Sequence, residues 1–149
     1  MYKITKQLKS FSAAHRIVNG YPGKCHHLHG HNYDLQISFA APTLNQYGFV
    51  IDFDDITRFF DDWVQTHWDH CTLVSTDDTQ LLEFVVSHEQ KHYVFPEGMN
   101  TTVEHLARHL FDCINHIMRE NPDVFRDTLM LTALTLWETK TSMATIEKG

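Results

Sequence analysis

The chain has 149 residues, enough for a sizeable hydrophobic core, and its 42% hydrophobic and 21% charged content is ordinary for a globular protein. Its net charge of −7 argues against a nucleic-acid surface, which is usually basic, and no apolar run has the length of a membrane span or the pattern of a signal peptide. At this length we expect one domain, residues 1–149. Three scattered cysteines form no disulfide framework, so we expect a reducing cytoplasm as the compartment. Histidine is the compositional outlier, with 12 residues spread along the chain.

Two strands are predicted near the N-terminus. The first runs from Tyr2 to His15, and because its apolar residues change parity, a β-bulge is expected near Lys9–Ser10. After a turn-rich loop, residues from Asn32 to Phe39 alternate between apolar and polar, which is the pattern of a half-buried strand.

Two long amphipathic helices follow in the prediction. Asp52 is a suitable N-cap for the first, which continues to about His67. The second begins at a capping box, Thr101-x-x-Glu104, and ends near Asn121–Pro122. Between them, residues 77–90 favour a short helix and residues 93–96 a short extended piece.

Two further strands, Leu129 to Glu138 and Ser142 to Glu147, complete the chain. Met130, Leu134 and Leu136 form the apolar row of the first, and Glu138 ends that row. The order strand, strand, helix, helix, strand, strand predicts an α+β domain.

A histidine-rich segment, Cys25-His26-His27-Leu28-His29-Gly30-His31, precedes the second strand. His29 and His31 continue the apolar row of that strand, and His15 ends an apolar row on the first. Antiparallel pairing would bring these row ends together, and three imidazoles suit zinc with a fourth position open to water or substrate. His27 has the same parity as His29 and His31, and a structural site that uses Cys25 is a rival hypothesis.

Three other features carry chemistry. Cys25 lies in a polar loop beside the potential zinc ligands, which favours a reactive thiol, whereas Cys113 lies near an apolar helix stripe and is expected in the core. Asp69-His70 has the composition of an acid–base pair, although adjacent side chains need not touch. Glu138 is a carboxylate at the end of an apolar row, and an organic ligand that donates two N–H groups would be a suitable partner.

The motifs form an ordered series over nearly the whole chain: Phe11-Ser12-Ala13-Ala14-His15, Cys25-x-x-x-His29-Gly30-His31, Gly48-Phe49-Val50-Ile51-Asp52-Phe53, Trp68-Asp69-His70 and Glu138-Thr139. Together they resemble the 6-pyruvoyltetrahydropterin synthase family, which includes the bacterial 6-carboxytetrahydropterin synthases of queuosine biosynthesis. The four-residue step from Cys25 to His29 resembles the bacterial carboxy branch.

The resemblance implies a tunnelling fold: a four-stranded antiparallel sheet with two helices on one face, in trimers that close a barrel and usually stack as hexamers. It implies site residues of three kinds: zinc ligands His15, His29 and His31, catalytic residues Cys25, Asp69 and His70, and substrate-binding residues Glu138, Thr101 and Thr102. In such assemblies the site lies between subunits. The implied substrate is 7,8-dihydroneopterin triphosphate, which the carboxy branch converts to 6-carboxytetrahydropterin, acetaldehyde and triphosphate.

Two other functions stay open at this point. One is a 6-pyruvoyltetrahydropterin synthase, which eliminates triphosphate without carbon–carbon cleavage. The other is a non-catalytic zinc-binding protein, favoured by the histidine excess and the acidic charge. Cys25 and Glu138 weigh against it, because zinc buffering needs neither residue. Neither nucleic acid nor a membrane is expected as a partner.

Overall fold

The computed structural model describes residues 1–149 and is organised around one seven-stranded sheet. In chain order, its elements are β1 (Tyr2–Gln7), β2 (Phe11–His15), β3 (His29–Ala41), α1 (Phe53–Ile56), α2 (Asp62–His67), β4 (Cys71–Ser75), α3 (Thr79–Ser87), β5 (His92–Phe95), α4 (Val103–Glu120), β6 (Met130–Trp137) and β7 (Met143–Glu147). The long strand β3 lies at the centre, with β1 and β2 antiparallel along one edge and β6 then β7 antiparallel along the other.

The break between β1 and β2 is the irregularity that the sequence predicts near Lys9–Ser10. Both strands stay on β3, and between them the backbone N–H of Leu8 donates to the carbonyl of Leu35 at 2.8 Å. The backbone N–H of Lys9 points instead at the carboxylate of Asp61, whose two oxygens lie 3.3 and 3.2 Å away. The first strand therefore changes parity without leaving its partner, and His15 ends on the buried side.

Both long helical segments share one hydrophobic core with the sheet. Helices α1 and α2 form one continuous segment because a single π-helical turn, Thr57–Asp61, joins them. Asp52 is the N-cap, as predicted, and its side chain accepts a hydrogen bond from the N–H of Asp54 at 2.9 Å. One continuous core contains the inward side chains of β3 and β6 together with those of α2 and α4. No helix combines the length and the apolar character that crossing a membrane requires.

Residues 71–99 enlarge the sheet beyond the predicted antiparallel strands. β4 pairs in parallel with β2, and β5 pairs in parallel with β4 after the chain crosses over through α3. The sequence predicts α3 and β5 but not β4. Four of the five residues of β4 are buried, and a strand covered on both faces shows no alternation from which to recognise it.

Two local predictions are wrong. The N-cap of α4 is Thr102, whose side chain accepts a hydrogen bond from the N–H of His105 at 3.3 Å, so Thr101 and Glu104 form no capping box. The predicted apolar row of β6 includes Met130, but a register shift opposite Ser38 and Phe39 puts Leu131 there instead. The buried residues of the row are Leu131, Leu134 and Leu136. The end of α4 at Glu120 agrees with the prediction.

Candidate active site

The three histidines predicted as metal ligands lie together at one end of β2 and β3. His15 and His29 are directly opposite each other in the antiparallel register, and His31 follows two residues further along β3. The ring centroid of His15 lies 4.6 Å from that of His29 and 5.2 Å from that of His31, and the last two are 4.8 Å apart. Strand pairing therefore brings the three imidazoles together, as the sequence predicts.

Backbone carbonyls orient two of these rings. The Nδ1 atom of His15 lies 2.7 Å from the carbonyl oxygen of Thr101, and that of His29 lies 2.6 Å from the carbonyl oxygen of His27. Because a carbonyl only accepts, each Nδ1 carries the proton, and in the neutral ring the lone pair is on Nε2. Such a second contact commonly fixes the tautomer of a metal-binding histidine.

The Nε2 atoms of the three histidine rings are the strongest indication that this cluster binds a metal ion. The Nε2 atoms of His15, His29 and His31 are all buried and make no well-aligned hydrogen bond, although a carboxylate oxygen of Glu138 lies 2.8 Å from that of His31. Leaving a buried polar atom unpaired costs about 1–3 kcal/mol, so three at one point need an explanation. A metal ion that binds all three lone pairs explains them.

Glu138 joins this group from the end of β6. Its Oε1 atom lies 2.8 Å from Nε2 of His31 and 3.6 Å from Nε2 of His15. The ligand atoms of His15, His29, His31 and Glu138 all lie within 4.8 Å of one another, so this group could hold a metal ion. Three nitrogens and one carboxylate oxygen are donors that zinc accepts. Neither Cys25 nor His27 belongs to the group, so the rival structural site is not formed.

The electrostatics favour the protonation states that bind a metal. Burial lowers the pKa of His31, and the neighbouring rings of His15 and His29 lower it further, although Glu138 acts in the opposite direction. The pKa of Glu138 is also below its ordinary value, because of its contact with His15 first and the charge of His31 next. A neutral imidazole and an ionised carboxylate are the forms that coordinate metals.

A wide cleft of about 920 Å³ opens beside the histidines, and His15, Cys25, Asn100, Thr102 and Glu138 are among its lining residues. Cys25 lies on a short 3-10 turn, Lys24–His26, and is half-buried. Thr102 reaches the cleft, but Thr101 is fully buried and contacts the site through its carbonyl oxygen and its hydroxyl, both of which face His15.

The other two cysteines have a different character from Cys25. Burial raises the pKa of the Cys71 thiol to about 11 and that of the Cys113 thiol to about 11. Neither residue lines the cleft beside the histidines. Both thiols therefore stay protonated near neutral pH and are poor nucleophiles.

Asp69 and His70 do touch. The Nδ1 atom of His70 lies 2.8 Å from Oδ2 of Asp69, and the other carboxylate oxygen accepts a hydrogen bond from the backbone N–H of Ser12 at 2.9 Å. The bond from Ser12, and then that from His70, lower the pKa of Asp69. His70 has a φ of +56°, an unusual conformation for a residue other than glycine, and its side chain is 81% exposed.

The pair does not share the cleft of Cys25. His70 lines a separate hollow of about 440 Å³ together with His31, Ser12 and Asn32. Cys25 is not among the residues of that hollow, and His70 is not among those of the cleft. The histidine cluster therefore lies between two cavities: His15 lines the cleft of Cys25 and Glu138, and His31 lines the hollow of His70.

Some contributors to the site have no signal in the sequence. The carbonyl groups of His27 and Thr101 orient ligand rings, and any residue type would supply them. Tyr33 looks like an ordinary member of an apolar row, yet its buried hydroxyl has no partner and its ring centroid lies 5.5 Å from that of His31. Burial first, and the charge of Glu138 next, raise the pKa of Tyr33 far above its ordinary value, so this hydroxyl remains protonated.

Comparisons with known proteins show the family and the fold of this chain. The family model described as 6-pyruvoyl tetrahydropterin synthase matches residues 3–149. A 6-carboxy-5,6,7,8-tetrahydropterin synthase from Rickettsia bellii is 37% identical over 111 residues, which are 74% of this chain and 78% of that protein. The protein of that name from Rickettsia typhi is 34% identical over 141 residues, 94% of this chain and 96% of its own. The solved 6-pyruvoyl tetrahydropterin synthase of Caenorhabditis elegans has the same fold, with a TM-score of 0.68 and 24% identity over 100% of this chain and 98% of its own.

Proposed function

Because this chain belongs to the 6-pyruvoyl tetrahydropterin synthase family, we propose that it is a zinc-dependent 6-carboxytetrahydropterin synthase. It converts 7,8-dihydroneopterin triphosphate to 6-carboxytetrahydropterin, acetaldehyde and triphosphate, a step of queuosine biosynthesis. One observation carries the proposal: three imidazole Nε2 atoms meet at one point, and one of these rings, His15, lines a cleft together with Cys25 and Glu138. The names of the curated relatives support the carboxy product.

His15, His29 and His31 would hold the zinc ion. When bound there, zinc supplies a Lewis acid that polarises oxygens of the substrate side chain and makes neighbouring C–H protons easier to remove. Glu138 lies close enough to be a fourth zinc donor, but in this proposal it binds the pterin ring and leaves the fourth zinc position to water or substrate. An ionised carboxylate only accepts hydrogen bonds, and the 2-amino and ring N–H groups of the pterin only donate them. Thr102 lines the same cleft and adds a hydroxyl at the N-terminus of α4.

Cys25 and the Asp69–His70 pair move protons. The thiolate of Cys25 takes a proton from the substrate side chain at its sulfur atom. Asp69 holds Nδ1 of His70, so Nε2 is the nitrogen that gives or takes a proton. Because Cys25 and His70 line different cavities of one chain, we propose that the pair of one subunit serves the cleft of another.

The surface is compatible with such an assembly. β1 and β7 each have one edge without a partner strand. Beside β1, the apolar side chains of Tyr2, Phe49 and Phe53 are 51%, 44% and 50% exposed, and all three line one hollow. We propose trimers in which these edges pair and close a barrel, and hexamers in which two trimers stack.

The thiol of Cys25 must stay reduced for this role, and all three cysteines are free. We therefore propose the reducing cytoplasm as the place of the reaction.

The decisive experiment incubates the zinc-loaded protein with 7,8-dihydroneopterin triphosphate and identifies the products by mass spectrometry. We expect a 6-carboxy pterin together with acetaldehyde. A 6-pyruvoyl product would keep the site and replace the proposed reaction with triphosphate elimination alone. No turnover, with zinc bound and the oligomer intact, would refute the proposed reaction and favour a zinc-binding role.

A further inference from the structure

The loop that carries Cys25, residues 16–27, is held from outside by side chains far away in sequence. We call these side chains the clamp: Asp77, Asp78 and Asn100. Asp77 and Asp78 lie directly before α3, and Asn100 lies shortly before α4. The clamp therefore includes part of the 71–99 segment, which the proposed reaction does not otherwise use.

The strongest contact of the clamp is the ion pair between Arg16 and Asp78. The guanidinium donates two hydrogen bonds of 2.6 Å each, from Nε and from one terminal nitrogen, to the two carboxylate oxygens. Asp78 is 6% exposed and also caps α3 by accepting a hydrogen bond from the N–H of Leu81 at 3.2 Å. A two-point pair on a capped helix end fixes both position and orientation, and Arg16 directly follows the ligand His15.

The other two clamp residues hold the next part of the loop. Asn100 pairs with both backbone groups of Val18: its Oδ1 accepts from the N–H at 2.9 Å, and its Nδ2 donates to the carbonyl at 3.2 Å. Asp77 accepts from Nδ2 of Asn19 at 3.1 Å and from the N–H of Gly98 at 3.0 Å. Residues 16, 18 and 19 are thereby all tied to the clamp.

Ile17 transmits this constraint to Cys25. The N–H of Ile17 donates to the carbonyl of Cys25 at 2.8 Å, and the carbonyl of Ile17 lies 3.1 Å from Nδ1 of His26, which donates to it. Both contacts hold the turn that carries the thiol. Asn100 also precedes Thr101, whose carbonyl orients His15, so the same segment positions the thiol and a metal ligand relative to each other.

We propose that Asp77, Asp78 and Asn100 are positioning residues that hold the Cys25 thiol in the cleft beside the histidines. The proposal rests on the proposed catalytic role of Cys25. Catalysis is sensitive to such placement, because a displacement of about 1 Å can lower a rate by about 100-fold. The 71–99 segment then serves the reaction by fixing the Cys25 loop.

The test uses the double variant Arg16→Met with Asp78→Asn. Removing both charges avoids a buried charge without a partner, and asparagine retains the ability to cap α3. Four quantities are measured: bound zinc, kcat, KM, and the rate at which iodoacetamide alkylates Cys25, followed by peptide mass spectrometry. We expect unchanged zinc and KM, a kcat lower by about 10–100-fold, and faster alkylation because the loosened loop exposes the thiol.

Asn100→Asp is the second variant, because it removes the donor to the Val18 carbonyl while keeping the size of the side chain. We expect it to change kcat and alkylation in the same directions, and it carries the test if the double variant does not fold. The matched control is Asp112→Asn, which breaks the exposed pair with Arg108 on α4. That variant should match the unmodified protein in all four measurements.

A lower melting temperature with unchanged kcat and unchanged Cys25 alkylation would overturn the proposal, because the clamp would then only stabilise the fold. The proposed catalytic role of Cys25 fails separately, if Cys25→Ala retains full turnover, and the proposed function fails if the unmodified protein gives no 6-carboxy pterin. In either case the alkylation rates still decide whether the clamp positions the thiol.

Discussion

For two of the three proposed ligand rings, the nitrogen that can bind a metal is the one that makes no hydrogen bond to the protein. His15 and His29 donate from Nδ1 to backbone carbonyls, which leaves Nε2 of each ring free toward the common point. His31 has no such contact and instead lies 2.8 Å from a carboxylate oxygen of Glu138. The orientation of the His31 ring therefore depends more on the metal and on Glu138 than the orientations of the other two rings do.

At the scale of single residues we predict that substitutions separate zinc binding by His31 from proton transfer by Cys25. His31→Ala should lose most of the bound zinc, because one of three nitrogen donors is removed, and turnover should fall with it. Cys25→Ala should retain the zinc and abolish turnover. Zinc content by atomic emission and turnover of the pterin substrate check both variants. Full zinc occupancy in His31→Ala would contradict the ligand assignment.

Residue types and their spacing alone predict that the three histidines, Cys25 and Glu138 belong to the site, because few kinds of side chain bind metals or transfer protons. They do not predict how Thr101 acts. Thr101 is buried and reaches His15 through its carbonyl and hydroxyl, so the residue that seems to cap a helix supports a ligand instead.

Among the elements, the π-helical turn Thr57–Asp61 is the unusual one. It ends at Asp61, whose carboxylate faces the backbone N–H of Lys9 in the break between β1 and β2. Asp61 is 9% exposed, and burial, more than any other cause, raises its pKa although the bond from Lys9 opposes this. A π-turn thus coincides with the contact that stabilises a strand irregularity.

The raised pKa of Asp61 makes stability depend on pH in a defined direction. The folded protein binds this proton more tightly than the unfolded chain does, so the contribution is complete below the unfolded pKa of about 4 and is lost as pH rises through the higher folded pKa. Asp61→Asn removes the titration and keeps one acceptor for Lys9. We expect its melting temperature at pH 7 to equal or exceed that of the unmodified protein, and its decrease between pH 4 and pH 7 to be smaller.

Asp127→Asn is the control, because it removes the same charge from an exposed position that does not influence the pKa of Asp61. Its melting temperature should follow that of the unmodified protein at both pH values. A clearly lower melting temperature for Asp61→Asn at pH 7 would mean that the bond between the charged carboxylate and Lys9 outweighs the cost of burial.

For the whole molecule, the exposed apolar residues indicate where a second subunit could bind. Tyr2, Phe49 and Phe53 surround one hollow beside the free edge of β1. A cluster of exposed aromatic rings beside an unpaired strand is typical of an interface. In the proposed assembly, such an interface would bring the Asp69–His70 pair of one subunit to the Cys25 cleft of another.

We predict that Phe49→Asp dissociates the proposed assembly. A charge in this patch cannot be buried without a partner, so sedimentation should show smaller species and turnover should fall at least as far as assembly does. Val86→Asp is the matched control, because Val86 is 56% exposed on α3 and lies outside the patch. An intact oligomer with full activity in Phe49→Asp would exclude this patch from the proposed interface.

The sequence by itself determined the α+β class, the strands and helices with strong periodicity, and the side chains that we propose bind a metal or move protons. These features are local, because alternation, caps and donor atoms belong to the residues themselves. Only the tertiary structure decided the parallel addition of β4 and β5, the separation of Cys25 and His70 into two cavities, and the clamp on the Cys25 loop. Those depend on contacts between residues far apart in the chain, often through backbone groups that every residue type provides.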